Sequence, residues 1–113
     1  MDAQRTLEMA YREGDGVDRD LTKTLYWARK CAEQGDPTCQ NSLGYALLIG
    51  IDGSYDFVES ATWLLLAVER SPPGDTHDRA VVNLENVRAQ LTEDEVAEAE
   101  KRAQQWREKF AAR

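Results

Sequence analysis

The sequence predicts an all-α fold, an α/α solenoid of about six helices, and three observations carry that prediction. Slid against itself by 36 residues, the chain brings Gln4 onto Gln40, Leu7 onto Leu43, Ala10 onto Ala46 and Gly14 onto Gly50. The same offset sets Asp20 on Asp56, Trp27 on Trp63 and Glu33 on Glu69. A constant offset of this size marks stacked repeats, in which each unit buries its apolar face only against a neighbour. The second observation is spacing: Leu21, Leu25, Ala28 and Ala32 form one stripe, and Phe57, Ala61, Leu64 and Val68 repeat it. Steps of three and four residues put each set on one side of a helix. The third is punctuation, with glycine and proline recurring where each helix should stop.

Taken in order, the first helix runs to about Glu13 and its second-copy equivalent to Ile49, followed by Gly14 and Gly50 at the position favoured just past a helix end. Short loops follow, 15–19 and 51–55. Asp20 and Asp56 then stand where an N-cap carboxylate would accept from the free amides of the second helix. The repeats are bounded at 1–35 and 36–72 and close on Gln34-Gly35-Asp36-Pro37 and on Ser71-Pro72-Pro73-Gly74. Residues 75–91 read as a half-repeat, because Ala80, Leu84 and Val87 keep the spacing of Cys39, Leu43 and Ala46 at an offset of 41. Thr92-Glu93-Asp94-Glu95 has the form of a capping box and opens a last helix over 92–113. That helix carries Val96, Ala99, Ala103, Trp106 and Phe110 on one side and suits a terminal cap that shields the open end of the stack.

Composition bounds the function. With 42% apolar and 31% charged residues in 113, the chain can bury a core as one domain. A net charge of −7 argues against nucleic acid and anionic membranes as partners, since both repel an acidic surface. The longest compact apolar run, residues 63–68, is far short of the roughly 20 residues that cross a bilayer. Met1-Asp2-Ala3-Gln4-Arg5 carries no basic-then-apolar leader, and the expected location is the cytoplasm. No nucleophile–base pair and no phosphate-binding glycine loop is visible, so the reading is non-enzymatic and without a cofactor. His77, in a polar loop beside Asp75 and Asp78, has no second ligand at metal spacing. Asp15, Asp18 and Asp20 alternate like part of a calcium loop, but Leu25 and Tyr26 stand where its closing Glu is needed.

Taken together, Gln40-Asn41-Ser42-Leu43-Gly44, Gly14-Asp15-Gly16-Val17, Asp20, Lys23, Trp27 and Lys30-Cys31-Ala32-Glu33-Gln34-Gly35-Asp36 resemble the Sel-one-like repeat family, relatives of the tetratricopeptide repeats. The resemblance covers residues 3 to about 91. It implies a right-handed superhelix of helix pairs that serves as a scaffold or adaptor for protein complexes. Glu8 departs from the small residue found at Gly44, and Leu47 from a usual tyrosine, which suggests that the first unit sits at an end. Secreted cysteine-rich members of the family carry disulfides at a gap similar to that between Cys31 and Cys39. The residues themselves favour two small buried thiols, because each position holds Ala in another copy, and the bridge stays open.

In such stacks the first helices of successive units line the concave side. The positions outside the packing stripe are Arg5, Met9 and Arg12, then Asn41, Tyr45 and Leu48, then Val82 and Asn86, with Ala89 completing the third set. Each follows i, i+4, i+7 and makes one helix face. The expected partner is another protein, with Tyr45 as an amphipathic anchor; plain packing of Tyr45 and Leu48 within a short stack is the alternative. Trp27 and Trp63, at one repeat position, are expected to pack inside, as are Trp106 and the Leu64-Leu65-Leu66 run. Two further roles stay open: a bacterial immunity or inhibitor protein whose acidity captures a basic toxic enzyme, and one domain of a longer repeat protein. The chain is expected to be a monomer or to self-associate weakly.

Overall fold

A computed structural model describes residues 18–50 and 55–113, the side chains of 18–22 excepted. Among the described residues there are five helices and no strand: α1 (Asp18–Glu33), α2 (Pro37–Ile49), α3 (Phe57–Arg70), α4 (Asp75–Arg88) and α5 (Glu93–Ala111). The helix expected before Gly14 lies outside the described residues, as do Arg5, Met9, Arg12, Gly14 and most of both loops after the first-type helices.

Local sequence sets the boundaries as expected in most places. Asp36 caps α2 by accepting from the Cys39 amide at 3.1 Å, with Pro37 at the first helical position where no amide is needed. Asp56 caps α3 through the Glu59 amide at 2.9 Å. Thr92 and Glu95 form the reciprocal capping box of α5. Gly50 ends α2 in the left-handed conformation (φ 64°), its amide bonded to the Ala46 carbonyl. Two boundaries differ from the sequence reading. Asp20 lies within α1 rather than ahead of it. His77 belongs to the first turn of α4, not to a loop; its Nδ1 lies 3.1 Å from the Val68 carbonyl and ties α4 back to the end of α3.

Helix α3 is the centre of the stack. On one side Trp63 and Leu66 join Ala32 of α1, Leu43 and Leu47 of α2 and Ala103 of α5. On the other, Ala61 and Leu64 join Leu84 and Val87 of α4 and Ala99 of α5. Leu43, Leu64 and Leu66 are fully buried, each contributing about 1.5–3 kcal/mol by leaving water. Of the Leu64-Leu65-Leu66 run, only Leu65 keeps partial exposure; Leu64 lies in the cluster with α4 and α5, Leu66 in the cluster with α1, α2 and α5, and Leu65 packs against both. The α2–α3 pair is close-packed at Gly44, where the Ser60 hydroxyl donates to the Gly44 carbonyl at 2.6 Å.

Helix α5 packs on α3 through the small residues Ala99 and Ala103 and reaches back along the stack. Trp106 meets Trp63 edge to face at 6.4 Å and stacks on Phe110 at 4.7 Å. The Arg70 guanidinium lies over both the Trp106 and Phe110 rings, at 5.1 and 4.7 Å, and donates to the Gly35 carbonyl at 2.9 Å. Arg113 donates to the Glu33 carbonyl and to Gln34 at the end of α1. Gly35 makes this closure feasible: its φ is 96°, and a Cβ there would stand 2.7 Å from Arg70 and 2.8 Å from Phe110.

Two expectations about side chains are corrected. Trp27 is 66% exposed, against 7% for its repeat equivalent Trp63. Trp63 is covered by α1 on one side and α5 on the other, and the described residues supply Trp27 with no equivalent cover. Cys31 and Cys39 are joined as a disulfide, not held as separate thiols, and both are only half-buried. The end of α1 and the start of α2 bring their Cα atoms to 5.7 Å, within the range a bridge needs.

Candidate functional site

Helices α2 and α4 lie side by side, joined by contacts along their length. Thr38 and Thr76 hydroxyls lie 3.5 Å apart. Farther along, the Asn83 side-chain Nδ2 donates to Asn41 Oδ1 at 3.0 Å inside the seam. At the far end Leu48 packs against the cluster that holds Leu84 and Val87. A buried amide pair of this kind fixes the lateral register of two helices, because sliding either one would strand polar atoms away from water.

The expected binding residues divide accordingly. Asn41 is 2% exposed and committed to Asn83, so the face drawn through Asn41, Tyr45 and Leu48 is not uniformly at the surface. Leu48 is half-buried in a core cluster. Tyr45 is half-buried. Val82 is 54% exposed and Asn86 is exposed, with Ala89 beyond it. Asp78, Arg79, Val82 and Asn83 line a shallow depression on α4. The available surface of this face, among the described residues, is therefore Tyr45, Val82 and Asn86, bordered by Asp78 and Arg79. Arg5, Met9 and Arg12 lie outside the described residues.

A second exposed patch was not foreseen. Tyr26 and Trp27 pack edge to face at 5.2 Å on α1, with the Lys30 ammonium 5.5 Å from the Tyr26 ring. Tyr26 is itself largely exposed. Repeat position gave no signal of it, because Trp27 is equivalent to the buried Trp63.

Charge is spread rather than focused. Arg29 pairs with Glu59 across α1 and α3, Arg107 with Glu69 at 2.8 Å across α5 and α3, and Arg102 with Glu98 at 3.5 Å within α5. Such exposed pairs contribute little individually to stability.

The model of the Sel1 repeat matches this chain twice in succession, over residues 7–36 and 37–72. The chain belongs to the Sel1 repeat family. The second match spans α2 and α3, so one Sel1 unit corresponds to this helix pair and the loop between them. Sel1 repeats are generally protein–protein interaction modules. Helices α4 and α5 lie beyond the matched residues and extend the Sel1 stack. Comparison with curated proteins and with solved structures gave no match. No described helix is long and apolar enough to cross a membrane.

Proposed function

We propose that this Sel1-repeat protein is a non-catalytic scaffold or adaptor that holds a partner protein against the face formed by α2 and α4. The observation that supports this reading most is Val82, a large apolar side chain held 54% exposed in the middle of a well-packed helix, beside the depression that includes Asp78 and Arg79. An apolar centre with a charged border is the usual make-up of a recognition patch. Tyr45 and Asn86 supply a ring and an amide within the same surface, and the Asn41–Asn83 bond holds the two helices in fixed register before any partner arrives. Preorganisation of this sort lowers the ordering cost of binding.

The test is capture from a lysate of the source cell with the wild type beside a Val82→Glu, Asn86→Lys double variant. Both positions are exposed, so both proteins should give the same helical circular dichroism. Loss of one captured protein by the variant supports this face. Equal capture by both sinks the assignment and points to the Tyr26–Trp27 patch. An inhibitor of a basic enzyme, the competing role, is favoured by the net charge of −7. Its binding would weaken steeply as salt rises, whereas an adaptor docking through Val82 would be far less salt-sensitive.

A further inference from the structure

The turn between α1 and α2 holds more than a cross-link. Cys31 stands in the last turn of α1, Cys39 in the first turn of α2, and Asp36 between them. One ligand atom from each, the two Sγ atoms and a carboxylate oxygen, lie within 4.8 Å of one another. Both cysteines are half-buried and Asp36 is exposed, so the cluster opens to solvent.

This apposition does not depend on the sulfur–sulfur bond. The Gln34 amide donates to the Cys31 carbonyl at 3.1 Å and the Gly35 amide to the Ala32 carbonyl at 3.0 Å. The Gln40 amide donates to the Asp36 carbonyl at 3.0 Å, and the buried Gln40 side chain donates to the Ala32 carbonyl at 3.1 Å. Asp36 uses Oδ1 as the helix cap on the Cys39 amide, and a carboxylate has a second oxygen and further lone pairs with which to bind a cation. The turn therefore keeps its shape with the bridge open.

We propose that Cys31, Cys39 and Asp36 form, once the bridge is reduced, a site for one thiophilic divalent cation of the zinc class, with water as the fourth ligand. A dithiol reductant supplies the two electrons and two protons: its own sulfurs join as a disulfide, the Cys31–Cys39 bond breaks, and two thiols result. The incoming cation then displaces both thiol protons to solvent and binds two thiolates and the Asp36 carboxylate. Tetrahedral zinc with Zn–S distances of about 2.3 Å places its sulfurs roughly 3.8 Å apart. Cysteines whose Cα atoms are 5.7 Å apart reach that separation by side-chain rotation alone. Three anionic ligands around a dication leave one negative charge, which sits at the positive end of α2. Because the same two sulfurs serve the bridge and the cation, the two states exclude each other, and a cytoplasm-like reducing poise selects the cation.

The test uses the full chain, reduced anaerobically with a phosphine that is then removed, and titrated with Co²⁺ alone. The expected result is one cobalt per chain, with thiolate-to-cobalt charge-transfer absorption, and displacement by Zn²⁺. The oxidised protein and the Cys31→Ser, Cys39→Ser double variant should show none of this absorption. Asp36→Asn keeps a residue that caps helices equally well, so its expected loss of at least about tenfold in cobalt affinity reports the ligand role and not the fold. A reduced, helical protein without charge-transfer absorption overturns the proposal, as does unchanged affinity in Asp36→Asn. If reduction lowers the helical signal, added cobalt should restore it; failure to do so counts equally against the site.

Discussion

Gly44 lies at a close approach of α2 and α3, and replacing it by alanine sets two opposed effects against each other. A Cβ at this position would stand 2.6 Å from Leu64 Cγ, 2.8 Å from Leu64 Cδ2 and 3.1 Å from the Ser60 carbonyl oxygen. Leu64 is fully buried and the carbonyl belongs to the backbone, so neither can turn aside without moving α3. Overpacking of this kind costs about 1–3 kcal/mol. Parting the helices also stretches the 2.6 Å bond from the Ser60 hydroxyl to the Gly44 carbonyl, a further loss of about 1 kcal/mol. Against this, alanine is a better helix former than glycine by about 1 kcal/mol. The net expectation for Gly44→Ala is a loss of about 1–3 kcal/mol. At roughly 4 °C per kcal/mol for a chain of this size, Tm falls by about 4–12 °C. Urea and thermal unfolding followed by far-ultraviolet circular dichroism measure it. An equally or more stable variant would refute the reasoning, since helix propensity would then outweigh the packing. Ser60→Ala should cost about 1 kcal/mol on its own. Combined with Gly44→Ala it should cost less than the sum, because both act on one contact.

Three further outcomes follow from the same geometry. Trp63→Ala should cost about 3–5 kcal/mol in urea denaturation, whereas Trp27→Ala, at the equivalent repeat position but exposed, should stay within about 0.5 kcal/mol. Asn83→Ala withdraws the amide that meets buried Asn41 and should cost about 1–3 kcal/mol; changing both residues to Leu should recover part of that loss by thermal melting. Replacing both Cys31 and Cys39 by Ala frees a loop closed over a sequence separation of 8, and the chain-entropy account gives a loss of about 2.5 kcal/mol, read from the unfolding midpoint under oxidising conditions.

The features legible in the sequence are those set within one helix or one turn. The stripe Phe57, Ala61, Leu64 and Val68, the caps at Asp56 and Thr92 and the stop at Gly50 all depend on neighbours a few residues away, and each recurs in the structure. What escaped depends on which helix lies alongside. Repeat symmetry equates Trp27 with Trp63, but the cover over Trp63 includes Ala32 of α1 and Ala103 of α5, both outside its own helix pair. Asn41 shares a helical face with Tyr45, and only the position of α4 decides that one is sealed against Asn83 while the other keeps partial exposure. Residue preference for Ala at the positions of Cys31 and Cys39 speaks of size; the turn between them, which sets their separation, is a property of two helix ends at once.

The return of α5 to the end of α1 changes how the described helices should come apart. In an open array of repeats each unit touches only its neighbours, and an end unit can melt while the rest persists. Here Arg113 bonds to residues 79 and 80 positions earlier, and Phe110 closes over Gly35. Losing α5 uncovers Trp63 in the middle of the array and frees the α1–α2 turn at the same moment. Among the described residues the array is thereby closed into a loop of contacts, and these helices should unfold in a single cooperative event in which Trp fluorescence and helical dichroism change together.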